Sequence, residues 1–407
     1  MKNKIIYIIV CFLFGTQLKA QTLQEYLHIA EKNSPELQAS SYSYQSALEK
    51  VEEVGSLPNT TIGAGYFVQE AETRVGAQKA KLSANQMLPW FGTFSAKKES
   101  ASFSAQAKLN SVDITKRNLF LNVKTAYFNL YELKSKETVL NENLELLKTF
   151  ERLALSELEN NKATMVDVLK IQMKQNEILN DLNTVHENLQ AKKRTFNLLL
   201  NRNEDALIEI IDSITINEID PINKDLIANN PKLLELNNLQ NALVKMETAT
   251  KKEGLPSIGI GLDYIFVENM AIDNLADNGK DIIMPMVSVS IPLFSKKYSS
   301  KQKQLQLDQK AIESSKTTAT NQLNMLFETA LANLKTAKAS VETQNKNIAQ
   351  ANQAEKVLLA AYQVAKIDFD QILEIQQLKL KFQLKKIAAE KEYAIQKATL
   401  EFLTINN

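Results

Sequence analysis

The chain has 407 residues, 44% of them hydrophobic and 23% charged, with a formal net charge of +1. One cysteine (Cys11) and two histidines (His28, His186) leave no material for a disulfide framework or for a Cys/His metal or catalytic centre. No basic excess marks a nucleic-acid surface, so nucleic acid is not an expected partner.

Residues 1–20 have a basic start (Lys2, Lys4), an apolar run from Ile5 to Phe14 and the small residue Ala20. This is the pattern of a secretory signal peptide cut after Ala20. Cys11 lies inside the apolar run without a small residue before it, which argues against a lipoprotein. Removing the leader leaves 45 Lys and Arg against 47 acids, a net of −2, and no cysteine.

A first helix is expected over 22–55, then a β-hairpin over 57–91. Within LPNTTIGAGYFV the residues Ile62, Ala64, Tyr66 and Val68 share one face, and Thr61, Gly63, Gly65 and Phe67 share the other. A second strand is expected over 80–89, with 69–79 as a polar loop. Residues 93–160 contain neither Gly nor Pro. Two apolar rows at seven-residue steps run through them: Ala126, Leu133, Leu140, Leu147 and Ala154, and Val123, Leu130, Leu144 and Leu158. Glu137 and Glu151 interrupt the second row. That is a coiled-coil seam, and at about 1.5 Å per residue it extends roughly 100 Å. A return helix follows over 162–200, and a linker over 201–223.

The second half repeats this order: helix 224–253, hairpin 255–294, long helix 295–363, return helix 367–404. Pro35, Pro58 and Pro89 recur as Pro231, Pro256 and Pro292, displaced by 196, 198 and 203 residues. Apart from Gly15, every glycine lies within 55–92 or 254–279. The chain therefore reads as one structural unit written twice, 21–200 and 224–407. In the second hairpin Ile258, Ile260, Leu262, Tyr264 and Phe266 alternate with Ser257, Gly259, Gly261 and Asp263. Near 284–292, Val287, Val289 and Ile291 alternate with Ser288 and Ser290. Large apolar residues on one face and small or polar ones on the other suit a strand between lipid and a lumen. Strand edges in lipid must close, and four strands are too few to do so alone, so the chain is expected to oligomerise. Met270, Met284 and Met286 cluster by the second hairpin without His or Cys and read as ordinary strand and loop residues.

In these features the chain resembles the TolC family of outer-membrane efflux proteins. The likeness rests on Pro-Trp-Phe-Gly at 89–92, on Pro-Leu-Phe-Ser at 292–295, and on two turn motifs at 162–172 and 366–376. The turn motifs are similar to the family's Gly-Thr-x-x-x-x-Asp-Val-Leu consensus. The fold it implies is mainly α with a small membrane β-barrel contribution: long antiparallel coiled-coil helices forming an α-barrel, four β-strands per chain, a two-fold internal repeat and a trimer. Also implied are an outer-membrane location in a Gram-negative bacterium, a helical tunnel in the periplasm, and passive export of small molecules or metal ions. Implied partners are outer-membrane lipid, a periplasmic adaptor and an inner-membrane pump of the RND type. No catalytic site, cofactor or resident metal is implied. Residues 201–223 look like the family's equatorial segment, and the short length and compact loops are similar to its heavy-metal cation branch.

The family's periplasmic gate maps onto residues just after the second turn. The motif Asp falls on Asp167 in the first half and on Gln371 in the second, which departs from the pattern. An acidic ring would then draw on Glu374 with Asp370 or Asp368, and three such carboxylates in a narrow pore favour cations. Adaptor docking maps onto the turns: Lys162, Ala163, Thr164, Asp167, Lys366 and Ile367. The rival reading is a secreted helical coiled-coil interaction or scaffold protein without a pore.

Overall fold

The computed structural model describes residues 23–159, 163–218, 223–294, 296–363 and 367–404. The expected leader and the tip residues Lys162 and Lys366 lie outside the described residues. The helix expected over 22–55 is two helices, α1 (Leu23–Asn33) and α2 (Pro35–Gly55). Proline lacks an N–H and suits the first turn of a helix, so Pro35 opens a new one. The Ser34 hydroxyl caps it, accepting the Leu37 N–H at 3.2 Å. The same division recurs in the second half. There a 3-10 turn (Lys224–Asn229) precedes α5 (Pro231–Glu253), and Asn230 accepts the Lys232 N–H at 3.0 Å.

Strands β1 (Thr61–Thr73) and β2 (Gly76–Leu88) make the first hairpin, β3 (Ser257–Val267) and β4 (Ile282–Ser290) the second. The four form one antiparallel sheet in the order β1-β2-β3-β4. The loop expected over 69–79 is therefore mostly strand. Its polar residues continue the ladder past the apolar band, and Lys79 bridges Glu70 of β1 and Glu268 beyond β3. The turn itself needs glycine: Gly76 has φ of 140°, and any side chain there would strike the Glu268 carbonyl.

The long helices α3 (Thr93–Glu159) and α6 (Lys296–Gln363) span 67 and 68 residues. Return helices α4 (Met165–Leu199) and α7 (Phe369–Thr404) follow them. Among the described residues no helix is long and apolar enough to cross a membrane.

Two compact units are recognisable, each drawing on both halves of the sequence. Among the described residues, one takes Leu23–Leu37, Thr115–Ile227 and Leu323–Thr404; the other takes Gln38–Ile114 and Ala228–Gln322. The first is helical and holds three apolar cores. In one, Leu140, Leu144, Leu147, Phe150 and Ala154 of α3 meet Val168, Ile171 and Ile178 of α4 and Phe369, Ile372 and Leu373 of α7. In the second, Tyr26, Leu27 and Ala30 of α1 meet Val123, Tyr127 and Leu130 of α3 and Phe196 of α4. The third joins α6 and α7 through Phe327, Leu334, Tyr393 and Leu400, with Ile227. Most of the heptad positions read from the sequence are core positions.

Both interruptions of the seam have partners. Glu151 accepts amide hydrogens from Gln172 at 2.7 Å and Gln175 at 2.8 Å. Glu137 lies 3.2 Å from Nδ1 of His186.

The linker runs as an extended segment over these cores. Ile208 and Ile210 pack on the second core, Ile214 and Ile216 on the third. A chain lying on helices has no ladder for its peptide groups, and tyrosines supply partners. The Tyr26 hydroxyl accepts the Glu209 N–H at 2.9 Å, and that of Tyr127 accepts the Ile211 N–H at 3.1 Å. Tyr393 donates to the Asn217 carbonyl at 3.3 Å.

Candidate functional site

Two regions carry chemistry: the sheet, and the turns between long and return helices. In the sheet, the register pairs Gly63 with Ser83, Asn85 with Gly261 and Gly259 with Ser288. All of these fall on one face, together with Lys81, Asp263, Met284 and Met286. On the other face Ile62, Tyr66 and Val68 of β1, Leu82 of β2, Ile260, Leu262 and Phe266 of β3, and Ile283, Val287 and Val289 of β4 are all exposed. A large contiguous apolar surface on one side of a sheet calls for a non-aqueous neighbour.

The opposite face is polar and closely fitted. A Cβ at Gly261 would lie 2.3 Å from the Asn85 side-chain oxygen, and one at Gly259 would lie 2.2 Å from the Ser288 hydroxyl. The glycines thus give space to side chains from neighbouring strands. Asp263 is fully buried and forms an ion pair with Lys81. A carboxylate buried there would be costly without its cation. The sequence reading placed Asp263 on the small, polar face but missed Lys81. The alternation of Lys81, Ser83 and Asn85 with Leu82 and Ala84 is the signal that identifies it.

At the turns, Thr164 and Asp167 form a capping box at the start of α4. The Thr164 hydroxyl accepts the Asp167 N–H at 3.3 Å, and the Asp167 carboxylate accepts the Thr164 N–H at 2.9 Å. These contacts satisfy helix donors that otherwise lack partners. The motif Asp thus has a local structural task. In the second repeat Asp368 and Gln371 hold the matching positions, and the Gln371 N–H bonds the Asp368 carbonyl at 3.3 Å. Glutamine, like glutamate, is common at this place in a capping box. Ala163 donates its N–H to the Glu157 carbonyl at 3.3 Å, and Ile367 packs on the first core.

Of the four acidic-ring candidates, Asp368, Gln371 and Glu374 are exposed, whereas Asp370 is half-buried. Lys170 of α4 donates to both carboxylate oxygens of Asp370, at 2.7 and 2.5 Å. The bond raises the Lys170 pKa above its ordinary value. Lys170 occupies in the first repeat the position that Glu374 occupies in the second, so the duplicated helices carry opposite charges there. Nothing in the sequence alone joins Lys170 to Asp370, two hundred positions away. Below it, Phe369 is clamped edge-on by Phe150 and Tyr362, at centroid distances of 5.8 and 5.4 Å. Burial raises the pKa of the Tyr362 hydroxyl. Among the described residues no group of three His, Cys, Asp or Glu is placed to hold a metal ion.

A family model described as "Outer membrane efflux protein" matches residues 26–202. No curated protein matches the chain by sequence. Several solved structures match over nearly its whole length. The outer membrane protein VceC of Vibrio cholerae has 14% identity and a TM-score of 0.76, covering 94% of this chain and 95% of its own. CusC, described in connection with transmembrane channel formation, has 13% identity and a TM-score of 0.78, covering 96% and 93%. The CmeC outer membrane channel of Campylobacter jejuni has 14% identity and a TM-score of 0.76, covering 94% and 85%. Residues 26–202 therefore carry an outer membrane efflux protein domain, and the chain has the fold of TolC-family outer-membrane efflux channels.

Proposed function

We propose that the chain is one subunit of a homotrimeric exit duct in the outer membrane of a Gram-negative bacterium. The duct crosses the periplasm and passively exports small molecules or metal ions. The sheet carries this reading: four strands with an exposed apolar face, a polar opposite face, and free edges at β1 and β4. In lipid, strand edges without partners are costly, and three copies joined edge to edge close twelve strands. Helix α2, which leads into β1, buries none of its 21 residues. Edge closure places it beside the α6 helix of a neighbouring copy, which begins after β4.

The energy and the substrate come from an inner-membrane pump, of the RND type, and a periplasmic adaptor. The duct itself performs no catalytic step and holds no cofactor. The turns, with Ala163, Thr164, Asp167 and Ile367 among the described residues and Lys162 and Lys366 beside them, are where the adaptor docks. Glu374 and Asp368 supply an acidic ring, while Asp370 is engaged by Lys170 and serves to tie α4 to α7. The test is fractionation of cells expressing the full chain. The outer-membrane fraction should contain it as a heat-sensitive band of three subunits. Recovery as a soluble periplasmic monomer would instead support the scaffold reading.

A further inference from the structure

The register sets Thr61 beside Asn85, Leu88 beside Ile258 and Ser257 beside Ser290, so all four helix–strand junctions lie at one end of the sheet. That end has an exposed apolar collar. Phe91 is 76% exposed, Leu293 82% and Phe294 90%, and Leu57, Leu255 and Ile291 join them. Directly beyond the collar the helices carry adjacent lysines: Lys97 and Lys98, Lys251 and Lys252, Lys296 and Lys297.

The first two pairs are engaged within the chain. Lys97 pairs with Glu253, Lys98 with Glu52 at 2.8 Å and Lys251 with Glu247 at 2.7 Å, while Lys252 donates to the Phe91 carbonyl at 3.3 Å. Two further carboxylates are also taken, Glu53 by Lys50 at 2.6 Å and Glu99 by Lys245 at 2.5 Å. Lys296, Lys297, Lys301 and Lys303 on the first turns of α6 are exposed; Lys297 lies over the Tyr298 ring at 5.5 Å and Lys301 donates to Gln304 at 3.1 Å, but none of the four forms an ion pair to a described carboxylate. Their spacing sets Lys297 with Lys301, four apart, and Lys296 with Lys303, seven apart, along neighbouring helix rows. The arrangement is a cationic stripe immediately below an apolar run, Ile291–Pro292–Leu293–Phe294.

We propose that this stripe docks the phosphate headgroups of anionic phospholipids in the periplasmic leaflet, with Leu293 and Phe294 seated among the acyl chains above them. The proposal rests on the outer-membrane reading above and adds the lipid class and the residues that recognise it. Basic residues just outside a bilayer are attracted to anionic headgroups, each by about 1 kcal/mol, an effect that fades within a Debye length of about 8 Å. At about 1.5 Å per residue, Lys301 lies roughly 7–8 Å along the helix from Lys296, within that range. On a neighbouring copy's α2, Glu52 and Glu53 already have lysines, which leaves Glu49, also exposed, as the carboxylate there that would compete with headgroups for the stripe.

The test uses the full chain in phosphatidylcholine vesicles containing a minor fraction of phosphatidylglycerol. Flotation reads insertion, and mass spectrometry of the re-extracted protein counts retained lipids. Wild type should retain phosphatidylglycerol in preference to phosphatidylcholine. K296Q/K297Q should float equally well but lose that preference by roughly fivefold per lysine. Equal retention by the variant would overturn the headgroup site while leaving the membrane reading intact. Failure of both chains to float would remove the membrane reading and the site with it. Carbodiimide cross-links from Lys296 or Lys297 to a carboxylate of a second copy would assign the stripe to a protein interface and overturn the proposal.

Discussion

Replacing Asp370 by Asn leaves Lys170 facing a neutral amide and frees α7 from α4 at the turn. An ion pair this open to water contributes little to stability, so D370N and K170Q should barely change global melting. In the proposed duct their effect is on conductance: a higher basal level in planar bilayers, with K170R close to wild type. Because pairing raises the Lys170 pKa, its contribution is complete below the ordinary lysine value of 10.5 and fades as pH climbs through the raised one. Conductance of wild type should therefore rise at strongly alkaline pH, and K170Q should lack that rise. E374Q tests the acidic ring separately, with reduced cation preference as the expected result. Glu247 gives a signal of opposite sign. Bonds from Lys251, Gln309 and Gln306 hold its pKa at about 2, against an ordinary 4.5. The stability it confers is present above 4.5 and is lost as pH falls toward 2. The acid limb of melting temperature against pH should be shallower in E247Q.

Among the elements, the linker depends on hydroxyl groups more than on its own sequence. Y127F leaves the Ile211 N–H without its acceptor and should cost on the order of 1 kcal/mol. F196A empties the core beneath it and should cost about 3–5 kcal/mol; denaturant unfolding distinguishes the two. Removing the α4 cap with T164A should cost about 1 kcal/mol, with helix fraying confined to the first turn by hydrogen exchange. The long helices were legible because seven-residue apolar spacing and an absence of Gly and Pro act locally. The outer face of the sheet was legible because alternation is local too. Strand residues 69–73 and 76–79 were not, since their polar side chains look like a loop until Glu70, Lys79 and Glu268 come together. The Lys170–Asp370 and Lys81–Asp263 pairs were hidden for the same reason, each joining residues some two hundred positions apart. At Asp167 the motif was visible, and the structure adds a local task beside the docking role expected of it: it caps α4 with Thr164.

For the whole molecule, the decisive fact is that the sheet leaves β1 and β4 unpaired while presenting an apolar face. A monomer cannot satisfy both in a bilayer, and a water-soluble scaffold has no use for the apolar face. Duplication supplies long helices of 67 and 68 residues, a match that suits equal rods in one assembly. The repeats differ in charge just after the turns, with Lys170 in one and Glu374 in the other. The most direct measurement is single-channel recording of the purified full chain in planar bilayers, with its subunit number determined by light scattering in the same detergent. The account predicts three subunits and discrete, cation-preferring conductance steps that increase in D370N. A monodisperse monomer that leaves the bilayer silent would contradict it.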